Sequence, residues 1–67
     1  MEEGHVKWFN DKKGFGFIAA DGRDVFVHIT ALKAAGLATL EENTPISFRL
    51  DTGPNGKPVA VDLKVLS

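Results

Sequence analysis

The chain has no cysteine, which excludes disulfide bonds, thiolate nucleophiles and thiolate metal sites. Its two histidines are too few for a histidine metal cage, so we expect no metal. No apolar run approaches the roughly 18 to 20 residues that span a bilayer, and the Met-Glu-Glu start is the reverse of a basic signal-peptide leader. These absences predict a soluble, cytoplasmic protein that has no membrane partner.

Basic charge is not in excess either. The 67 residues include 8 Lys and Arg against 9 Asp and Glu, which gives a net charge of -1. A protein that holds nucleic acid mainly by its phosphates is typically basic, so this balance counts against a strong duplex binder. Lys7, Lys12 and Lys13 nevertheless lie together near the start of the chain, which predicts a locally positive face.

What the sequence does contain is a series of short strand patterns separated by turn residues. Asp21-Gly22 and the segment 53–56 predict hairpin turns, and Thr30 is the predicted N-cap of a short helical turn that Gly36 ends. The five predicted strands are residues 5–10, 14–20 and 24–28, a fourth containing Ile46, Phe48 and Leu50, and a fifth containing Val59, Val61, Leu63 and Val65.

A flat sheet of five short strands would expose its edges and cover one face only, so a chain of this length is expected to curl into a barrel. We therefore expect a single all-β domain over residues 1–67, a five-stranded antiparallel barrel. Gly14 and Gly16 stand where a strongly bent second strand needs them. The predicted interior is apolar and consists of Val6, Ile18, Val25, Val27, Leu32, Ile46, Phe48, Val61 and Leu63.

Aromatic rings occupy alternate positions in two of these strands. Side chains two residues apart in a strand share a face, so Phe15 lies with Phe17, and Phe26 lies with His28. An isolated phenylalanine is more often buried, but burying these rings would expose the intervening valines and bury an imidazole. The alternation therefore directs the rings outward. Several exposed rings on a small domain predict a flat ligand that stacks on them.

Other aromatic and polar residues are less informative. Trp8 and Phe9 are adjacent, so only one of them can point fully inward, and the pattern leaves open which one does. Phe9 and Phe48 are assigned mainly to the core or the barrel rim. His28 is interpreted as a stacking and hydrogen-bonding group, because the sequence supplies no catalytic arrangement around it. Residues 53–57 lack the Ser or Thr of a phosphate loop, which favours a hairpin turn there.

The order of these stretches resembles the cold-shock domain family, and bacterial single-domain cold-shock proteins in particular. Val6-Lys7-Trp8-Phe9-Asn10, Lys13-Gly14-Phe15-Gly16-Phe17-Ile18 and Asp24-Val25-Phe26-Val27-His28 match that family's three opening strands in order and spacing. The resemblance implies an oligonucleotide-binding (OB) barrel whose second and third strands carry two ribonucleoprotein motifs. It also implies binding of single-stranded RNA and DNA and melting of weak RNA secondary structure, with no cofactor and no catalysis.

The residues expected to contact nucleic acid differ in what they supply. Rings stack with bases, and each stacked base is typically worth about 1 to 3 kcal/mol. Lysines beside the rings hold phosphates, and an aspartate accepts a hydrogen bond from a base amino group. The rings are Trp8, Phe15, Phe17, Phe26 and His28, the lysines are Lys7 and Lys13, and the aspartate is Asp24.

The resemblance adds four residues to this set. Lys57 and Pro58 belong to a loop that borders the binding face in the family. Ile29 and Leu37 stand where many members carry further phenylalanines. An aliphatic side chain contacts a base but offers no ring, so the sequence predicts a shorter stacking surface than the family's usual one.

Two other classes of protein share part of this pattern. A small peptide-binding barrel uses the same aromatic face to grip an apolar or proline-rich segment, but it does not explain the flanking lysines. An enzyme is disfavoured because a barrel of this size leaves little room for an enclosed pocket. We expect a monomer that is not an enzyme.

Overall fold

Five β-strands and one short helix make up the described part of the chain, which in the computed structural model is residues 2–53 and 55–66. In chain order they are β1 (Glu2–Asn10), β2 (Phe15–Ala20), β3 (Arg23–His28), α1 (Ile29–Ala34), β4 (Pro45–Thr52) and β5 (Pro58–Val65). The strands close into a barrel in the order β1-β2-β3-β5-β4. This confirms the all-β, five-stranded barrel predicted from the sequence.

Neighbouring strands pair antiparallel except at one seam. β1 pairs with β2 and β4, β2 with β3, and β4 with β5, all antiparallel, whereas β3 and β5 run parallel with Phe26 opposite Val59. β1 begins earlier than predicted because residues 2–5 pair with β4. The parallel seam places the start of β5 beside the outer face of β3.

Both predicted hairpin turns fall between paired strands. Asp21 and Gly22 have φ of 52° and 75°, and Ala20 pairs with Arg23, so the two-residue turn between β2 and β3 is confirmed. The turn at 53–56 includes Pro54, which lies outside the described residues. Around it, the Gly53 N–H donates to the Lys57 carbonyl at 2.8 Å, and this hydrogen bond holds the ends of the turn together.

The structure corrects the predicted start of the helix and confirms its end. His28, not Thr30, is the N-cap: α1 follows β3 directly, and the imidazole accepts a hydrogen bond from the Thr30 N–H. Gly36 has a φ of 76°, and the N–H groups of Gly36 and Leu37 donate to the carbonyls of Lys33 and Leu32 at 3.1 and 2.8 Å. This pattern is a Schellman motif, which satisfies the last carbonyls of the helix.

The barrel interior contains the predicted core residues with one exception. Val61 is only half-buried, and Ala60 is buried in its place. Ala20 and Leu40 join the core as well. The described residues contain no helix that is long and apolar enough to cross a membrane. The buried set is Val6, Ile18, Ala20, Val25, Val27, Leu32, Leu40, Ile46, Phe48, Ala60 and Leu63.

A β-bulge in β5 explains the exception. Between the pairs Ser47–Lys64 and Arg49–Val61, two residues of β5 oppose one residue of β4. Asp62 is one of those two residues and has a left-handed φ of 52°. The extra residue reverses the alternation beyond it, so Ala60 points inward and Val61 outward.

Asp62 suits this position, since aspartate tolerates the left-handed region better than most residues. Its carboxylate accepts a hydrogen bond from Arg49 Nε at 2.8 Å. This contact raises the pKa of the Arg49 guanidinium above its usual value. Both side chains are more than half exposed, so the ion pair adds little to stability beyond its local geometry.

Replacing Asp62 by valine is expected to lower the free energy of unfolding by about 1 to 2 kcal/mol, because a β-branched residue is strained at positive φ. Asp62→Asn is the matched control: it keeps tolerance of this conformation and loses only the exposed ion pair, so its cost should be about 0.5 kcal/mol or less. Urea denaturation of both variants measures the difference. Equal losses would contradict the assignment of strain to this residue.

Candidate nucleic-acid interface

The candidate site is built first on β2 and β3, which alternate strictly between core and surface. Gly16 and Ile18 of β2 are buried, as are Val25 and Val27 of β3. The residues between them are half-buried or exposed and share the outer face of the barrel. As predicted, these are Phe15, Phe17, Phe26 and His28, with Phe17 directly opposite Phe26 and Phe15 opposite His28.

Trp8 joins this face through a second β-bulge. Val6 pairs with Ile18 and Trp8 pairs with Phe17, so Lys7 has no counterpart on β2. In an unbroken strand a buried Val6 would put Trp8 inside as well. The extra residue leaves Lys7 and Trp8 both exposed. Phe9 is then partly buried against the core, which settles the choice that the sequence left open.

Gly16 makes this arrangement of β1 possible. A Cβ atom at this position would overlap the carbonyl oxygen of Trp8 and lie 2.7 Å from the Cα and the Cδ1 of Phe9. Real Cβ atoms do not approach other atoms so closely. Glycine at this position therefore lets β1 lie close enough to β2 for the Trp8 ring to reach the Phe17 ring.

Five rings form a continuous cluster, which we call the aromatic surface: Trp8, Phe15, Phe17, Phe26 and His28. Trp8 meets Phe15 and Phe17 edge-on, with centroids 5.8 and 5.3 Å apart. Phe15 stacks on Phe26 at 5.7 Å with an interplanar angle of 23°. Mutual edge and stacking contacts hold the rings in fixed orientations before any ligand arrives. Trp8 is 36% exposed and is the largest exposed ring.

Charged residues lie at one end of the aromatic surface. Lys7 Nζ lies 3.0 Å from Asp24 Oδ2, and the two side chains are 53% and 48% exposed. The sequence predicts that Lys7 contacts a phosphate and that Asp24 contacts a base. In the structure these two side chains contact each other. An exposed pair of this kind is worth about 0 to 1 kcal/mol, so a ligand can separate it at small cost.

Lys13 lies at the Phe15 end of β2. Its side chain is exposed, and its backbone N–H donates to Asn10 Oδ1 at 3.0 Å. The Lys12 N–H shares the same acceptor at the same distance. This turn fixes the backbone that carries both lysines and leaves their ammonium groups in solvent.

Two open grooves flank Phe26, and both are bordered by the loop between β4 and β5. One is lined by Phe17, Phe26, Gly53, Asn55, Lys57 and Val59. The other continues past His28 and is lined by Thr30, Ala31 and Val61, among others. Lys57 thus lies beside the aromatic surface as predicted, whereas the exposed Pro58 begins β5 opposite Thr52 and lines neither groove.

Sequence reasoning missed Asn55, Val59 and Val61 as residues of these grooves. Val59 and Val61 look like core residues in an alternating strand, and a turn asparagine has no distinctive signal. Val59 reaches the grooves because β5 runs parallel to β3 and places Val59 opposite Phe26. Val61 reaches them because the bulge turns its side chain outward. Neither feature is local in sequence.

Comparison with known proteins decides the family. The model of the 'Cold-shock' DNA-binding domain matches residues 2–66. The chain belongs to the cold-shock domain family. It is 47% identical over 66 residues to Cold shock protein CspB of Bacillus caldolyticus, covering 97% of this chain and 100% of the relative. It is 46% identical over 68 aligned positions to the Major cold shock protein of Streptococcus pyogenes serotype M6, covering 100% of both.

The similarity extends to relatives from other bacteria. Cold shock-like protein CspA of Bordetella pertussis is 47% identical over 68 aligned positions, which cover 98% of this chain and 100% of that protein. In this cold-shock domain the two stretches that resemble ribonucleoprotein motifs lie side by side on β2 and β3. In the part of the chain that the structure describes, no group of three or more His, Cys, Asp or Glu side chains is arranged to hold a metal.

Ile29 and Leu37, the aliphatic positions of this cold-shock domain, have structural contacts of their own. Ile29 is half-buried, its N–H donates to the Gly14 carbonyl at 2.9 Å, and its Cγ2 lies over Gly14. Leu37 is half-buried against the core and completes the Schellman motif after α1. Both lie outside the cluster of rings, so the continuous aromatic surface consists of the five rings alone.

Proposed function

We propose that this protein binds single-stranded RNA and DNA with little sequence preference by stacking bases on the aromatic surface. The observation that carries this proposal is the continuous cluster of five outward rings on β1, β2 and β3. Every base has a flat face, so a stacking surface accepts any sequence. Lys13 and Lys57, which are exposed at two sides of the rings, hold phosphates of the same strand.

Stacking, rather than charge, dominates the proposed binding energy. The net charge of -1 gives no long-range attraction for a polyanion. Three or four stacked bases at about 1 to 3 kcal/mol each supply useful affinity without long-range electrostatic attraction. Asp24 and Lys7 contribute locally once a base or phosphate separates their ion pair.

The same geometry supports a role as an RNA chaperone. The rings need the faces of unstacked bases, and a duplex covers those faces with neighbouring base pairs. Binding therefore stabilises the single-stranded state by mass action and shifts a weak hairpin toward its open form. We propose this activity for a monomer in the cytoplasm, without catalysis, with effects on transcription or translation during stress.

Titration with oligonucleotides tests the proposal. A short pyrimidine-rich single strand is expected to quench Trp8 fluorescence saturably, and a blunt duplex of the same composition is expected to bind much more weakly. A weak RNA hairpin should melt at a lower temperature when the protein is present. Equal affinity for the single strand and the duplex would contradict the proposal, as would no binding of either.

The salt dependence of binding is expected to be shallow. Each phosphate neutralised on a single strand contributes about 0.7 to the slope of log K against log salt, so contacts at Lys13 and Lys57 predict a slope of about -1.4, and a third contact at Lys7 would make it about -2.1. Lys13→Gln should reduce its magnitude by about 0.7. Lys64→Gln is the control, since Lys64 lies on β5 beside α1, away from the rings, and should leave the slope unchanged. A slope several times steeper would show that phosphate contacts dominate.

A further inference from the structure

His28 occupies a junction between the aromatic surface and α1. Its ring lies 6.4 Å from the Phe26 ring with an interplanar angle of 31°, so it is tilted relative to its neighbour. It is exposed, and the same residue is the N-cap of α1. One ring nitrogen is therefore hydrogen-bonded to the start of α1. This bond determines whether the other ring nitrogen is a donor or an acceptor.

The nitrogen in this hydrogen bond is Nδ1. The direction of the hydrogen bond determines which ring nitrogen carries the proton. The Thr30 backbone N–H points at Nδ1 at 3.2 Å, and Thr30 Oγ1 lies 3.0 Å from the same atom. A backbone N–H can only donate, so Nδ1 must offer its lone pair. A neutral imidazole carries one proton, which must then be on Nε2. The contact between Thr30 Oγ1 and Nδ1 is compatible with this assignment, because the hydroxyl can rotate to point its own proton toward Nδ1.

We infer that the N-cap contact of α1 fixes neutral His28 as the Nε2–H tautomer, so that His28 presents a hydrogen-bond donor to an acceptor oxygen of the bound strand. This inference rests on the proposed function for its ligand, but the tautomer itself is a property of the free protein. Within residues 2–53 and 55–66, Nε2 has no hydrogen-bond partner. The donor is therefore available to the ligand.

Few side chains around His28 can accept a hydrogen bond from Nε2–H in place of the ligand. The groove that it lines also contains Phe26, Ala31, Val59 and Val61, which have no polar side-chain atoms. The other polar side chains there are Thr30, which faces Nδ1, and Asn55 across the groove. Nucleic acid provides acceptor oxygens of two kinds, phosphates and base carbonyls, and Nε2–H suits either of them.

The tautomer is measured first, on the free protein. Nitrogen-15 NMR of the imidazole at mildly alkaline pH, where an ordinary histidine is neutral, distinguishes a protonated ring nitrogen from an unprotonated one. The proton is expected on Nε2 of His28. The exposed His5 serves as the internal reference for a ring without this cap. A proton on Nδ1, or a mixture of tautomers no different from that of His5, would overturn the inference.

The donor is tested next, with chains made by chemical synthesis. Methylation of His28 at Nε2 removes the donor and keeps the ring and the cap, so it should weaken binding to a short oligo-thymidylate about fivefold without lowering stability. Methylation at Nδ1 blocks the cap and should lower the denaturation midpoint. His28→Phe keeps a ring without any N–H and should weaken binding about as much as Nε2 methylation. Unchanged binding by the Nε2-methyl protein would overturn the inference.

The source of the oxygen is identified with modified strands. If Nε2–H donates to a phosphate, the fivefold effect of Nε2 methylation shrinks on a strand with methylphosphonate linkages, whose one remaining non-bridging oxygen is a neutral and weaker acceptor. If it donates to a base carbonyl, the effect disappears instead when the base beside His28 is replaced by an abasic unit. An effect that is undiminished on both strands would overturn the inference. Failure of the unmodified protein to bind any oligonucleotide would instead contradict the proposed function and leave the NMR result standing.

Discussion

Replacing Phe17 and Phe26 together by alanine is expected to lower affinity for an unstructured oligonucleotide by at least about 30-fold. The two residues are directly opposite across β2 and β3, and their rings meet edge-on with centroids 5.8 Å apart. Each stacked base is worth about 1 to 3 kcal/mol, so two lost stacks cost about 2 kcal/mol or more. The loss should be smaller than the sum of the single variants, because Phe17 and Phe26 contact each other and each single variant already removes that contact.

Fluorescence anisotropy of a labelled oligonucleotide measures this effect, since the two substitutions also alter the environment of Trp8. Leu66→Ala is the matched control: it removes an exposed apolar side chain outside the aromatic surface and should leave affinity unchanged. Far-UV circular dichroism confirms that each variant folds. A folded double variant that binds like the unmodified protein would exclude stacking on this surface.

Gly16→Ala is expected to cost about 3 kcal/mol of stability. The added methyl group would overlap the Trp8 carbonyl oxygen and the Phe9 side chain, and the first of these belongs to the backbone of β1, so it cannot move alone. A domain of 67 residues has a free energy of unfolding of only about 3 to 10 kcal/mol. The variant should therefore keep at most about 7 kcal/mol, and at the lower end of the range about half of it would be unfolded at room temperature.

Gly36→Ala separates this steric effect from the conformational freedom of glycine. Gly36 has a φ of 76° and open space around its Cα, so alanine there should cost only about 1 kcal/mol, all of it from backbone strain. Gly16 is not among the glycines with positive φ, so its larger cost is due to contact alone. Thermal and urea denaturation compare the two variants. An equal cost would show that β1 moves away from β2 more easily than the structure indicates.

Local sequence was sufficient for the central part of the site. β2 and β3 alternate without interruption, and the turn between them needs only Asp21 and Gly22. The outward direction of Phe15, Phe17, Phe26 and His28 follows from the period of two residues in a strand, since one face must take the valines. The number of strands also follows from local sequence, because turn residues separate the segments in which apolar and polar residues alternate.

The direction of Trp8 and the inner residues of β5 could not be obtained in this way. Both depend on a β-bulge, one at Lys7 and one at Asp62, and a bulge exists only relative to the partner strand. A single extra residue reverses the alternation, so the strand pattern alone assigns Val61 to the core. Similarly, Thr30 looks like the better N-cap until β3 is seen to run directly into α1.

The sequence by itself thus determined a barrel without disulfides, the period of each strand and the two rows of rings on β2 and β3, because these depend on covalent chemistry and on neighbours along the chain. Tertiary structure alone decided that a bulge turns Trp8 outward, that Lys7 contacts Asp24, and that Val59 and Val61 line the grooves beside Phe26. Each of these depends on the register between strands, which is set by how the whole barrel closes.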